Sequence, residues 1–201
     1  MAEENLFEGL PSTAVSDGLQ GYNHMKNGVY PLKEKWQLSG PAFTVDVSGG
    51  ENLSLLKAIR SASEGDVLVI DGKGERSVAI AGDFIIGLAK TLGLKGIVVD
   101  GVIRDLEAIR DLDFPVFCIG TTPVASKKNE YGKLQVPITC GGVVVSPGDY
   151  IVADVDGVVV VPKEDAKDVY MKTLDKIAKD EKREKEIGND PKKARKYLEQ
   201  Y

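Results

Sequence analysis

Residues 82–105 read GDFIIGLAKTLGLKGIVVDGVIRD, and the rest of the chain can be ordered around them. The first half sets Ile85, Ile86, Leu88, Ala89 and Leu92 on one face of a helix, with Gly93 as its stop signal. The second half, Ile97-Val98-Val99, is a short apolar run of the kind found in strands buried on both faces. Charged residues occupy the joints. Asp83 begins the helix, and Arg104-Asp105 follow the strand beyond a turn signal at Asp100-Gly101. A path of this length can fold back so that both joints face one crevice. That crevice would sit at the carboxyl end of a strand and beside a helix N-terminus, where ligands of α/β proteins usually bind.

The residue types at the joints suit a small anion and a hard metal ion. Arg104 offers a planar fork of donors to a carboxylate. Backbone N–H groups at the start of the helix, around Phe84 and Ile85, would face the same anion. Asp83 and Asp105 supply oxygens for a divalent cation such as Mg²⁺, which takes few carboxylates and keeps several waters. A plainer reading stands beside this one: Asp83 as a helix cap and Arg104-Asp105 as a solvated surface pair. Spacing alone leaves both open.

Upstream, a helix is expected from Pro11-Ser12-Thr13, capped by Ser12 or Thr13 and carrying Val15, Leu19 and Tyr22. Residues 23–35 read as loop and contain His24, the only histidine, so Ser-His-Asp or Cys-His catalysis has almost no material. Residues 42–47 and 67–70 read as strands, with helical periodicity at 53–62 between them and a turn at Asp71-Gly72-Lys73-Gly74. The run GKGERS lacks phosphate-loop spacing, and no glycine-rich nucleotide loop of strand-loop-helix form occurs, which argues against a methyltransferase. Downstream, 105–112 reads as helix and 116–119 as strand, giving α/β layering with some parallel pairing. From Thr121 the pattern changes to short strands at 134–138, 143–145, 150–153 and 158–161, separated by Gly141-Gly142, Pro147-Gly148-Asp149 and Asp156-Gly157. Residues 164–187 form a long charged helix with an apolar side at Val169, Met171, Leu174 and Ile177, and Asp190-Pro191 starts a short terminal one.

A chain of 201 residues suits a single domain with a real core. A hydrophobic content of 42% with 28% charged residues is ordinary for a soluble protein. The net charge of −5 leaves no basic field for nucleic acid. No apolar run is long enough to cross a membrane, and the first ten residues are not a signal peptide. Cys118 and Cys140 lack metal-site spacing and are expected to be free and buried, in keeping with a cytoplasmic protein.

The pattern Asp83, twenty residues, Arg104-Asp105 resembles the signature of the class II pyruvate aldolases of the RraA-like family. These cleave 4-hydroxy-4-methyl-2-oxoglutarate and related acids, and are often mislabelled as demethylmenaquinone methyltransferases. Further matching segments are STAVSDGL at 12–19, GPAFTV at 40–45, GDVLVIDG at 65–72 and CGGVVVSPGDYIVADVDGVVVVP at 140–162. The resemblance implies an α/β fold: one α/β/β layered domain over 1–188, of the type seen in swivelling phosphohistidine domains, with a long C-terminal helix and a short helical extension over 189–201. It implies a lyase that forms pyruvate from 2-oxo acids or decarboxylates oxaloacetate with Mg²⁺ or Mn²⁺. Arg104 would bind the pyruvate oxygens, Asp105 would hold the metal, Asp83 would reach it through water, and Gly82, Asp83, Phe84 and Ile85 would bind the substrate carboxylate. It also implies a homotrimer or a hexamer of trimers, in which Glu181 or Glu184 of a neighbour completes the metal shell, Glu181 being preferred. A Schiff-base mechanism has only Lys90 and Lys95 nearby, on the helix and its exit turn. The family also holds regulators that inhibit a ribonuclease by protein contact. Asp83 beside Arg104 and Asp105 favours the enzyme.

Overall fold

The computed structural model describes residues 5–26, 28–47, 51–127 and 132–201. Helices α1 (Ser12–Gly18), α2 (Leu53–Ser61), α3 (Asp83–Thr91), α4 (Leu106–Leu112), α5 (Ala166–Ile187) and α6 (Pro191–Leu198) surround one large mixed sheet. Its strands are β1 (Tyr30–Pro31), β2 (Leu38–Asp46), β3 (Val67–Glu75), β4 (Gly96–Ile103), β5 (Val116–Cys118), β6 (Gly120–Thr121), β7 (Lys133–Leu134), β10 (Tyr150–Asp154) and β11 (Gly157–Val161). The order is β1-β5-β4-β3-β2-β10-β11, with β6 beside β4 and β7 beside β2. Strands β2 to β5 are parallel, while β10, β11 and β1 run antiparallel to their neighbours. A separate hairpin pairs β8 (Ile138–Cys140) with β9 (Val143–Val145).

The sheet nearly closes on itself. The segment that ends in β1, paired with β5, first runs beside β11: Met25 N–H donates to Val158 O (2.8 Å) and Val160 N–H to Asn23 O (2.9 Å). Alternation along each strand then sorts the apolar side chains into three cores. Val67, Val69, Val98, Phe117, Ile151, Ala153, Val158 and Val160 fill the inside. Leu68, Ile70, Ile97, Val99 and Val116 face outward beneath α2, α3 and α4. Val152, Val159 and Val161 face outward on the other side, with Phe7 and with Val15 and Val169 of α1 and α5. The mixed α/β class read from the sequence therefore holds, and its layers are wrapped around a barrel-like sheet.

Several boundaries differ from expectation, each for a local reason. The Asp71–Gly74 turn is absent, because β3 continues to Glu75 through a bulge with Lys73 and Gly74 at φ 56 and 68. Strand β4 runs through Asp100-Gly101 to Ile103, since β6 pairs with its second half. Strand β2 starts at Leu38, where β10 pairs with it. The sequence run 134–138 divides between β7 and β8. Ser12 does not cap α1; Pro11 stands at that position, and the Ser12 hydroxyl and N–H both donate to the buried Asp154 carboxylate (2.6 and 2.8 Å). Tyr22 lies beyond α1 and is exposed. On α5 the buried positions are Ala166, Val169 and Thr173, so Met171 and Leu174 face solvent rather than the core. Asp190 does cap α6, accepting from the N–H groups of Lys192 and Lys193.

Both cysteines are free and buried. Burial pushes the Cys118 thiol up to about 11 and raises that of Cys140 as well. Neither should react with a disulfide reagent at pH 8 in the native protein, because the nucleophile is the thiolate. Spectrophotometric titration checks this: both thiols should appear only after denaturant is added, and rapid native labelling would contradict the packing described.

Candidate active site

Residues 82–105 form the expected helix and strand, and the structure brings their two joints together. Helix α3 buries Ile85, Ile86 and Ala89 against the outer core. Leu92 is its C-cap and is 52% exposed, so it does not belong to the buried face. Gly93 takes φ 78, the left-handed conformation that ends a helix most easily on glycine. At the other end Gly82 is the N-cap, and the first bond of the helical ladder runs from Ile86 N–H to Gly82 O (3.1 Å). The amides of Asp83, Phe84 and Ile85 thus lie ahead of the ladder.

The Arg104-Asp105 joint meets this helix start directly. Arg104 N–H donates to Ala81 O (3.0 Å). Asp105 is the N-cap of α4 but does not cap it with its side chain. Its backbone is left-handed, at φ 62 and ψ 43, and its carboxylate turns towards α3 instead. There Asp105 Oδ2 forms an ion pair with Arg104 Nε (3.2 Å) and accepts from Asp83 N–H (3.4 Å). Aspartate tolerates the left-handed region better than most residues, and such strain is concentrated at functional sites. The two side chains are 41% and 36% exposed, so the ion pair stands at a solvent-filled mouth.

Asp83 accepts the N–H of Phe84 with its own Oδ1 (2.7 Å). The helix start therefore already carries two carboxylates, and the Phe84 amide expected to bind substrate is engaged by Asp83. An incoming anion would share this dipole with both acids, unless a cation offsets their charge. Phe84 itself is 74% exposed at the rim.

Gly82 is what allows the joints to approach. Its backbone is extended, at φ −127 and ψ −177, so any residue could adopt it. A Cβ there, however, would overlap Asp105 Oδ2 and lie 3.0 Å from Arg104 Nε. This requirement for space was not visible in the sequence, where Gly82 entered only as part of the carboxylate-binding loop that the resemblance implies. The lysines considered for a Schiff base are elsewhere: Lys90 Nζ donates to Leu112 O, and Lys95 pairs with Glu8 (3.4 Å).

The donor set bears on a metal. Among the described residues no group of three or more His, Cys, Asp or Glu side chains converges on a point. What the crevice supplies is the partly exposed Asp105 carboxylate with Asp83 beside it, which fits a hard dication that keeps most of its waters. Glu181 is exposed on α5. That helix packs on α1, across the sheet from α3 and α4, so within one chain Glu181 does not join the crevice. The ion pairs along α5 use Asp168, Asp175, Asp180 and Glu186. A cavity of about 700 Å³ lined by Pro41, Asp66, Lys95, Tyr150 and Lys163 lies at the opposite, amino-terminal ends of β3 and β4 and contains none of these groups.

Fold and crevice together define an α/β protein with an acid-arginine site at the carboxyl end of a parallel strand. Residues 12–160 match the RraA-like family model, described as Aldolase/RraA, and the chain belongs to this family. A protein of Halalkalibacterium halodurans, provisionally named a 4-hydroxy-4-methyl-2-oxoglutarate aldolase, is 51% identical over 193 residues, 96% of this chain and 92% of its own. A Geobacillus kaustophilus structure described as an S-adenosylmethionine:2-dimethylmenaquinone methyltransferase is 37% identical, with a TM-score of 0.71 over 77% of this chain and 96% of that one. RraAS2 of Streptomyces coelicolor, described as an unusual member of the RNase ES inhibitor RraA family, is 31% identical, with a TM-score of 0.80 over 88% of this chain and 93% of that one.

Proposed function

We propose that this protein is a divalent-metal-dependent lyase acting on 2-oxo acids, which cleaves 4-hydroxy-4-methyl-2-oxoglutarate-type substrates to pyruvate, decarboxylates oxaloacetate, or does both. The observation that carries this reading is the convergence of Arg104, the Asp105 carboxylate and the Asp83 amide across Gly82. The aldolase name of the 51% identical relative supports it. Breaking the bond next to a 2-oxo acid leaves an electron pair, and hence negative charge, on the pyruvate fragment. The Arg104 guanidinium would receive that charge as it develops, and the start of α3, where Asp105 and Asp83 already hold the Asp83 and Phe84 amides, would orient the substrate carboxylate through the Ile85 amide. Asp105, with Asp83 through water, would hold Mg²⁺ or Mn²⁺, which when bound supplies Lewis acidity to the 2-oxo acid. Oxaloacetate decarboxylation measured with Mg²⁺ or Mn²⁺, and again with chelator, tests the proposal. Activity that survives chelation would remove the metal from it.

A second reading is a protein-binding regulator of ribonuclease activity, favoured by the likeness to RraAS2. Failure to turn over any 2-oxo acid, together with saturable inhibition of a ribonuclease, would establish it. We place the protein in the cytoplasm, without direct contacts to nucleic acid, and propose that kinship with swivelling phosphohistidine domains underlies its layering.

The same reading makes the protein a homotrimer or hexamer with Glu181 completing a neighbour's metal shell. Asp105→Ala and Glu181→Ala subunits, each inactive alone, should regain part of the activity when unfolded and refolded together. A monomer by light scattering, or no recovery in proven hybrids, would exclude the shared site.

A further inference from the structure

We infer that Ile80, seated in a slot that Gly72 and Gly101 leave open, is the positioning residue that sets the separation between the two walls of the crevice. The inference rests on the reading of that crevice as the reactive site. Gly72 lies on β3 and Gly101 on β4, and neither takes a positive φ. Their backbones could therefore be those of any residue, and what glycine contributes is the missing Cβ. A Cβ at either position would overlap Ile80 Cδ1. Ile80 is buried, and its N–H donates to Val102 O (2.9 Å). One residue on, Ala81 O accepts from Arg104 N–H (3.0 Å). The segment that leads into Gly82 is thus fixed to the end of β4 by one side chain and two hydrogen bonds.

The tolerance at the far end of this segment is small. Gly82 has no room for a Cβ against Asp105 and Arg104, and the contacts across the crevice are 3.2 and 3.4 Å. If Ile80 were pushed aside to clear such a Cβ, Gly82 and the Asp83 amide would shift on the order of 1 Å, enough to disturb those contacts. Packed side chains transmit such displacements, because interiors hold few voids to absorb them.

The two glycines differ in a way that makes the inference testable. A Cβ at Gly101 conflicts with side chains alone: it overlaps Ile80 Cδ1, with Ile80 Cγ1 and Val99 Cγ2 each at 3.4 Å. A Cβ at Gly72 would also lie 2.5 Å from the Asp100 carbonyl oxygen. Ile80→Val removes Cδ1 and leaves the backbone bonds in place. It can therefore relieve Gly101→Ala but not Gly72→Ala.

The experiment measures pyruvate formation from a 2-oxo acid alongside the ¹⁵N–¹H resonances of the Asp83 amide and of Arg104 Nε. Gly101→Ala should lower kcat on the order of a hundredfold, the scale of about 1 Å of misplacement, and displace both resonances. Gly101→Ala/Ile80→Val should return kcat to within about threefold of Ile80→Val alone, as coupled neighbours do, and return the resonances with it. Gly72→Ala/Ile80→Val should stay impaired. Wild-type behaviour of Gly101→Ala, or no relief from Ile80→Val, would overturn the inference. If Gly101→Ala does not fold, a folded but inactive double variant overturns it, and a folded, active one supports it. If the wild-type protein turns over no 2-oxo acid, the functional reading falls separately. The resonances then decide: displacement reversed by Ile80→Val supports the positioning role, and unchanged resonances overturn it.

Discussion

Asp105→Asn is expected to lower kcat/KM by a factor of about 10²–10³, the scale of removing one preorganised electrostatic contact from a reacting centre. The substitution preserves shape and removes charge. It is also the substitution the backbone accepts, because Asp105 sits at φ 62 and asparagine shares aspartate's tolerance of the left-handed region. Stability should change by less than about 1 kcal/mol, since the lost pairing with Arg104 is partly exposed. Asp105→Ala should lose the same activity and about 1–2 kcal/mol of stability besides, the cost of a left-handed backbone for a residue without a compensating side chain. Turnover and thermal melts on the same samples check both statements. Near-wild-type turnover of Asp105→Asn would show that the metal and the chemistry lie elsewhere.

Arg104→Lys is expected to lose about 2–4 kcal/mol of transition-state stabilisation, seen in kcat more than in KM. The guanidinium does two things at once. Its Nε holds Asp105 Oδ2 at 3.2 Å, and among the described residues no further bond engages its terminal nitrogens. A lysine ammonium is a single point of charge that can hold the carboxylate or meet the substrate, but lacks a planar fork for both. The change should leave the melting temperature almost unaltered at this partly exposed site. If neither kinetic constant moved by more than about a factor of two, Arg104 would be a surface residue and the account of the crevice would be wrong.

The sequence and the structure agree where burial dominates. Periodicity placed α3, the interior of β4 and the strands β10 and β11, because Ile86, Val98, Ile151 and Val160 have no alternative environment in a folded chain. It missed what depends on long-range partners. Asp71–Gly74 carries every local sign of a turn, yet β4 lies alongside and pairing with it keeps the strand going to Glu75. Ser12 looks like a cap, yet a buried carboxylate 142 residues away claims it. The barrel-like closure depends on Asn23 and Met25 meeting β11, which no short-range pattern records.

The crevice was legible as residue types and unreadable as geometry. Asp83, Arg104 and Asp105 could be named because their residue types at the joints of an α/β unit suit an anion and a metal, although a cap and a surface ion pair explain them equally well until the resemblance to the RraA-like signature is added. That Asp105 adopts a left-handed backbone, turning away from its own helix, follows from contacts with Asp83 and Arg104 that only the fold creates. The importance of Gly82, Gly72 and Gly101 was equally hidden. Each is glycine for lack of space rather than for backbone freedom, and space is a property of neighbours.

The central claim, that a metal-dependent lyase site is built on Asp83, Arg104 and Asp105, is tested most directly by one measurement. Pyruvate release from 4-hydroxy-4-methyl-2-oxoglutarate is followed for the wild-type protein and for Asp105→Asn at equal concentrations of folded protein, with Mg²⁺, with chelator, and with Mg²⁺ restored. The wild type should be active, fall silent on chelation and recover with Mg²⁺, while Asp105→Asn stays at least about a hundredfold lower throughout. Turnover that survives chelation, or that Asp105→Asn retains, would contradict the account.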